Sequence, residues 1–462
     1  MSIIIEKLTS LFLSKKNNLI LRENMKNKYD IIDTFTQRLT TINSQWKLLK
    51  DLSPERKRDI REIISSIQLI CNSVAKGRSD SNPFEASLKK PIAEVLESIM
   101  QDLDLYLENI HKIPILLSMG DTYFVAGEIS RAQSVYIRTL TIAEELKLVF
   151  YQTKIKLKLG KTHASLASWE LAELYFREAL EYYEQLEDYP NLIEVRAELA
   201  NLYFKKGDYN LSQKLYTQTL RLAEETKSQK KSAYLKNRLG VVNRIKDERS
   251  ISIEFLQKSV EIFKNLNEIQ GTVESLNELA MSHLQKSNYE KSLNCLNECV
   301  DLCNQYGDYQ LLAYVNLNKA IFYLHVGDYR HAAQFCSEGL KRLIQLKNPI
   351  GLAKVAVIYG HIFRNYRQYN IALEWYEESI RLYQDFEIPL GLANSCQEYA
   401  EMLSEMGELD QAIKHMEMSR DILISLDLTM KANEVAKEIE QLQYSHKYHK
   451  EAEPHLVGQH VE

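Results

Sequence analysis

The sequence predicts an all-α protein whose larger part is a solenoid of stacked helical hairpins, preceded by a small helical bundle. One observation is a small residue that recurs every forty positions. Another is that two amphipathic helical patterns separated by a turn surround each recurrence, as in residues 193–227. A pair of helices this short cannot bury its apolar face alone, so successive pairs must stack. The recurring small residues are Gly120, Gly160, Ala200, Gly240, Ala280, Ala320, Gly360 and Ala400.

Other positions of the repeat also keep one type of side chain. The turn holds glycine in four repeats, at Gly127, Gly207, Gly327 and Gly407, and glycine suits a turn that needs positive φ. In the second helix a small residue is followed four positions later by a bulky or apolar one. Small residues let two antiparallel helices approach closely, and the bulky side chain fills the gap between them. The bulky positions are Tyr136, Phe176, Tyr216, Leu256, Leu296, Cys336, Tyr376 and Met416.

Residues at this spacing resemble the tetratricopeptide repeat. The pattern is small-x-x-aromatic, as in Gly120 to Tyr123 and Ala200 to Tyr203, then Gly-x-Tyr, then Ala-x-x-x-aromatic-x-x-small. The resemblance covers residues 113–426 and implies a right-handed α–α superhelix. The period of forty exceeds the usual ~34. In this respect the chain is similar to the long-repeat class found in cell-polarity adaptors, rapsyn, kinesin light chains and Rap-type peptide sensors.

The chain divides into four predicted parts. Residues 1–110 lie outside the repeat phase but carry apolar residues at helical spacing, which predicts a small helical bundle. Residues 113–426 form eight helical hairpins, with prolines placed between units rather than inside helices. Residues 429–444 form a capping helix, which a solenoid needs to cover its last apolar face. Residues 445–462 are expected to be a disordered tail.

The composition excludes several classes of function. The net charge is -5 and the sequence has no basic stripe with interleaved aromatics, so nucleic acid is not an expected ligand. No apolar run is long enough to span a bilayer, and the first thirteen residues lack the cationic start of a signal peptide. No phosphate loop, paired metal ligands or nucleophile elbow is present. The expectation is a non-enzymatic cytoplasmic protein without a cofactor.

Three cysteines lie four residues apart, at Cys295, Cys299 and Cys303, on the second helix of one repeat. This spacing aligns them on one helical face, so a metal or redox site is one interpretation. Packing is the favoured interpretation, because the equivalent positions in other repeats hold apolar or small residues. Free buried thiols are typical of a reducing compartment.

The resemblance also implies where a partner binds, because first helices line the concave surface in this family. Counted from the small position, the outward residues fall six and three before it, and one, four and five after it. Amides and long cations there suit a peptide, since they bind backbone groups and carboxylates. The residues carried over are Lys154, Leu157, Lys161, Glu194, Asn201, Lys205, Tyr234, Asn237, Arg244, Glu274, Asn277, Gln285, Tyr314, His325, Lys354, His361, Arg364 and Asn365.

Two functional hypotheses follow. The first is a non-enzymatic scaffold or adaptor that binds protein or peptide segments in the concave groove. The second is a switch in which a bound peptide changes how residues 1–110 engage a target. A chaperone co-factor role is disfavoured, because no three successive first helices reproduce the Lys/Asn, Asn, Lys/Arg order that clamps a chaperone's C-terminal carboxylate. The identity of the partner and the oligomeric state stay open.

Overall fold

The computed structural model describes residues 109–125, 128–306, 309–345 and 349–457. The predicted N-terminal helical region therefore lies outside the described residues, apart from its last two. Within the described residues the secondary structure is α-helical, in helices of similar length. They are α1 (Asn109–Val125), α2 (Ile129–Glu145), α3 (Val149–Ser165), α4 (Trp169–Gln185), α5 (Tyr189–Lys206), α6 (Tyr209–Glu225), α7 (Gln229–Ile245), α8 (Arg249–Asn265), α9 (Ile269–Gln285), α10 (Tyr289–Tyr306), α11 (Tyr309–His325), α12 (Tyr329–Gln345), α13 (Pro349–Asn365), α14 (Tyr369–Asp385), α15 (Pro389–Glu405), α16 (Leu409–Ser425) and α17 (Thr429–Val457).

Consecutive helices pair through the small and bulky positions of the repeat. A Cβ added at Gly240 would lie 2.5 Å from Cγ of Leu256, and one added at Gly360 would lie 2.7 Å from the Tyr376 ring. Leu256 and Tyr376 are both fully buried. The two helix backbones can therefore approach closely because glycine has no side chain at this position, as the sequence predicts. The all-α solenoid of consecutive packed helical repeats is confirmed.

The turns between paired helices require a left-handed residue. Gly207 has φ 87°, and its N–H and that of Asp208 donate to the carbonyls of Phe204 and Tyr203. This pair of bonds is a Schellman motif, which satisfies carbonyls left free at a helix end. Asp247 occupies the same position with φ 65°. Repeats without a turn glycine therefore keep the same left-handed backbone conformation, which is energetically less favourable for a residue that has a side chain.

The chain forms two compact units, residues 1–182 and 183–462, and the division falls within α4. In the second unit one hydrophobic core joins residues of α5–α7 to residues of α14–α17. The turn after α5 lies against the turn after α16, where Leu426 occupies the space that a Cβ at Gly207 would need. The Asn210 amide also donates to the Asp427 carboxylate. The solenoid of this unit therefore closes on itself, which the repeat pattern does not predict.

The last helix is longer than the sequence predicts. α17 continues from Thr429 to Val457, past the predicted end at residue 444. His446 lies on this extension, with Nε2 3.1 Å from the Asp410 carboxylate. The predicted disordered tail begins at residue 445, whereas the helix of the structure continues to Val457 and His446 contacts α16.

Candidate functional site

The first helices of residues 183–462 present one face to a shared interior space. On each, the residues six and two before the small position, and one and five after it, lie on one helical face because their spacing is four, three and four. Glu278 of α9 interacts electrostatically with Arg244 of α7 and with Lys354 of α13. Side chains from three hairpins thus meet in one space. We call the inner faces of α5, α7, α9, α11, α13, α15 and α17 the groove.

Lys354 of α13 belongs to the same group of charges as Arg244 and Glu278. Its side chain is exposed, and partial desolvation by neighbouring groups lowers its pKa. Arg244 lowers this pKa further, while Glu278 acts to raise it. Charges on α7, α9 and α13 therefore influence one another electrostatically.

Cations occupy the wall of the groove formed by α5 and α7. Desolvation lowers the pKa of Lys205, and the neighbouring Arg238 lowers it further, against the effect of Glu198. The Arg238 guanidinium lies 5.2 Å from the centroid of the Tyr234 ring, a distance suited to a cation–π contact. Arg244 donates to Glu278 at 2.6 Å. We call Lys205, Arg238 and Arg244 the basic wall.

A hydrogen-bond network fixes an amide on the same wall. The hydroxyl of Tyr216 donates to Oδ1 of Asn201, and Nδ2 of Asn201 donates to the Tyr234 hydroxyl at 2.9 Å and to Glu198 at 3.1 Å. Tyr216 is fully buried beneath this position. The same arrangement recurs at Tyr136, whose hydroxyl donates to Asp121 at 2.6 Å. In these two repeats the tyrosine hydroxyl of the second helix therefore orients the residue one position after the small one.

Carboxylates occupy the opposite wall, formed by α13, α15 and α17. Arg364 of α13 donates to Glu401 at 3.0 Å and to Glu405 at 2.6 Å, and lies 3.7 Å from Glu398. Desolvation raises the pKa of Glu401, and repulsion from Glu398 raises it further. Glu438 of α17 has a raised pKa for the same two reasons, with Glu434 as an additional repelling charge. We call Glu398, Glu401, Glu405 and Glu438 the acidic wall.

The structure places six of the predicted residues on these two walls or against them: Asn201, Lys205, Tyr234, Arg244, His361 and Arg364. Two others are turned away from the groove. Asn237 is 5% exposed and donates to Ser275 Oγ of the next first helix, and Leu157 is 3% exposed. Both stand three residues before the small position. At this position of these two repeats the side chain is buried rather than outward-facing, and that of Asn237 bridges adjacent first helices.

The remaining predicted residues have mixed positions. Lys154 is exposed and Lys161 half-buried, and both belong to residues 1–182. Tyr314 packs at the edge of the core built by α11–α13. Asn277 is half-buried, and its Oδ1 is a buried atom without a hydrogen-bond partner.

Sequence reasoning missed Glu401, Glu405 and Glu438, and it missed a set of residues that stand two positions before the small residue. They include Arg238, Glu278 and Glu398, which carry much of the groove's charge. The available signal was their spacing of three residues from the position after the small one. The sequence could not choose between the positions two and three before the small residue. The first lies three residues, and the second four residues, from the position after the small one, and both spacings place two side chains on the same side of a helix.

Two other kinds of site find no support in the part of the chain that the structure describes. There, no three His, Cys, Asp or Glu side chains are placed to hold a metal ion. Cys299 and Cys303 are fully buried in a hydrophobic core, and burial raises the pKa of the Cys299 thiol. None of the described helices has the length and apolarity to cross a membrane.

Comparison with known families agrees with this geometry. One tetratricopeptide repeat family model matches residues 151–225, and a second matches residues 273–306. These matches identify tetratricopeptide repeats in those two stretches of the chain, where the structure has stacked helical hairpins. No curated protein matches the sequence.

Several solved structures share the fold at low sequence identity. The apo form of RapI is 14% identical, with a TM-score of 0.51, and the match covers 60% of this chain and 99% of RapI. NprR in complex with its cognate peptide NprX is 16% identical, with a TM-score of 0.51, covering 78% of this chain and 100% of NprR. Aspartyl phosphate phosphatase F from Bacillus subtilis is 12% identical, with a TM-score of 0.51, covering 76% and 94%. These likenesses show the fold alone.

Proposed function

We propose that this protein is a non-enzymatic scaffold that binds a peptide segment of a partner protein in the groove of residues 183–462, in the cytoplasm. The observation that carries the proposal is the grouping of charges from three hairpins: Arg244 donates to Glu278 at 2.6 Å, and Lys354 interacts with both electrostatically. A surface of this kind presents charged and amide side chains to one extended ligand. The complex of NprR with its cognate peptide supports the proposal by analogy of fold.

The basic wall and the neighbouring amide of Asn201 suit the backbone and the carboxylates of such a ligand. Asn201 is held by two tyrosine hydroxyls, so little side-chain entropy is lost when it binds. Arg238 remains cationic, since its interactions with Tyr234, Tyr216 and Glu274 outweigh the effect of desolvation and raise its pKa. A preorganised amide next to fixed cations can therefore bind peptide groups selectively.

Selection of peptides on the full-length chain tests the proposal. A library of short random peptides is displayed, and the selected peptides are synthesised with a fluorophore for anisotropy titration. The variant Lys205→Ala/Arg238→Ala is expected to weaken binding about tenfold or more, the loss typical of charge-assisted hydrogen bonds. The control Lys214→Ala/Arg221→Ala removes two exposed cations from α6. Equal affinity for the two variants, or no selected peptide, would contradict the proposal.

The alternative is a peptide-responsive switch that acts through residues 1–110. Hydrogen exchange of the full-length chain, with and without a selected peptide, distinguishes the two functions. A scaffold leaves exchange in residues 1–110 unchanged, whereas a switch alters it when the groove is filled.

A further inference from the structure

Among the described residues, the acidic wall carries more negative than positive charge. Three carboxylates, those of Glu398, Glu401 and Glu405, lie within 3.7 Å of one guanidinium, that of Arg364. A fourth, Glu438, repels Glu398 and Glu401 electrostatically. His325 does not supply the missing charge, because desolvation lowers its pKa and the adjacent His361 lowers it further.

The same wall also lacks hydrogen-bond donors. Oε2 of Glu398 is buried without a hydrogen-bond partner, although His361 Nε2 lies 3.0 Å away without the alignment that such a bond needs. Tyr376 is 0% exposed, and its hydroxyl makes no hydrogen bond of good geometry, although Arg364 lies within reach of it. Glu398 and Glu401 also act electrostatically on this hydroxyl, which therefore belongs to the same cluster of groups. Buried polar atoms left in this state are costly unless a ligand or a shift of neighbouring groups satisfies them.

The chemistry that satisfies both deficits is a cation with several N–H donors. A metal ion does not fit, because no three acidic, His or Cys side chains of the described chain are arranged around one point. A basic side chain fits, since it brings a positive charge together with three donors on lysine or five on arginine. We propose that the acidic wall binds an arginine or lysine side chain of the peptide that occupies the groove, and this inference rests on the proposed function.

The position of the acidic wall supports a peptide rather than an isolated small cation. The basic wall on α5 and α7 and the acidic wall on α13, α15 and α17 belong to the same compact unit, and core residues of α5–α7 and α14–α17 share one hydrophobic core. A peptide that carries a basic residue and an acidic residue can contact both. The predicted ligand is therefore a segment of mixed charge, with its basic residue against Glu398 and Glu401.

The test uses random peptides displayed between flanking linkers, so that no free terminus can supply the cation. Selection on the wild-type full-length protein is expected to enrich arginine or lysine at one position. Replacing that residue in a synthetic peptide by its neutral analogue, citrulline or norleucine, is expected to weaken binding about tenfold or more. In the variant Glu398→Gln/Glu401→Gln the same replacement is expected to change affinity less than about threefold, since the pair is already broken.

Two further variants test whether the effect of the neutral analogue depends on the acidic wall. Glu374→Gln/Glu440→Gln removes two exposed carboxylates outside the wall and should keep the full effect of the neutral analogue. The single variant Glu438→Gln, checked by circular dichroism, replaces the double variant if the latter fails to fold, and it should show a reduced effect. Selected peptides without an enriched basic residue, or an equal effect of the analogue in wild type and wall variants, would overturn the inference while leaving peptide binding intact. Failure to select any peptide would overturn the proposed function and this inference with it.

Discussion

Two buried tyrosines in equivalent positions are expected to respond oppositely to loss of the hydroxyl. In Tyr216→Phe the bond to Asn201 is lost, while Asn201 keeps its contact with the hydroxyl of Tyr234. A neutral hydrogen bond contributes about 0.5–1.5 kcal/mol net, so we expect a loss of about 1 kcal/mol. In Tyr376→Phe the hydroxyl removed lies near Arg364 but makes no hydrogen bond of good geometry, so the expected change lies between zero and a gain of about 1 kcal/mol.

The assay is thermal unfolding of the full-length chain followed by circular dichroism at one scan rate. For a unit of this size, about 1 kcal/mol corresponds to a shift in Tm of about 2 °C. Tyr136→Phe serves as the matched control, because its hydroxyl donates to a carboxylate, and it should lower Tm as Tyr216→Phe does. A decrease in Tm for Tyr376→Phe equal to that for Tyr216→Phe would refute the assignment of an unpartnered hydroxyl at the acidic wall.

Three further results are expected. Leu256→Ala should cost about 2–5 kcal/mol, because the fully buried side chain leaves a cavity, and urea unfolding measures it. Gly207→Ala should destabilise more than Gly327→Ala, although both have positive φ, because only the former meets Leu426; a comparison of Tm values checks this, and equal shifts would argue against the closed solenoid. The raised pKa of Glu438 means that the folded state holds its proton to higher pH than the unfolded state. Its contribution therefore favours folding below the unfolded pKa and is lost as pH rises through the raised value. Glu438→Gln should remove this part of the pH dependence in unfolding experiments across the acidic range, and an unchanged slope would contradict it.

The sequence by itself determined the hairpin repeat, since the interactions that build it are local. Gly240 and Leu256 meet within one hairpin, sixteen residues apart, so a fixed spacing of small and bulky residues is enough to predict their contact. The turn conformation is local in the same sense, which is why Asp247 adopts the positive φ expected of glycine. These features could be predicted because each one recurs along the chain with the same neighbouring residues.

The tertiary structure alone decided which stripe of each first helix faces the groove and that residues 183–462 close on themselves. Positions two and three residues before the small one are about 100° apart on a helix, and only the packing of neighbouring hairpins places Arg238 in the groove and Asn237 in an interface. The contact of Asn210 with Asp427 joins residues far apart in the chain. It depends on the sum of small rotations between successive hairpins, and no single repeat encodes that sum.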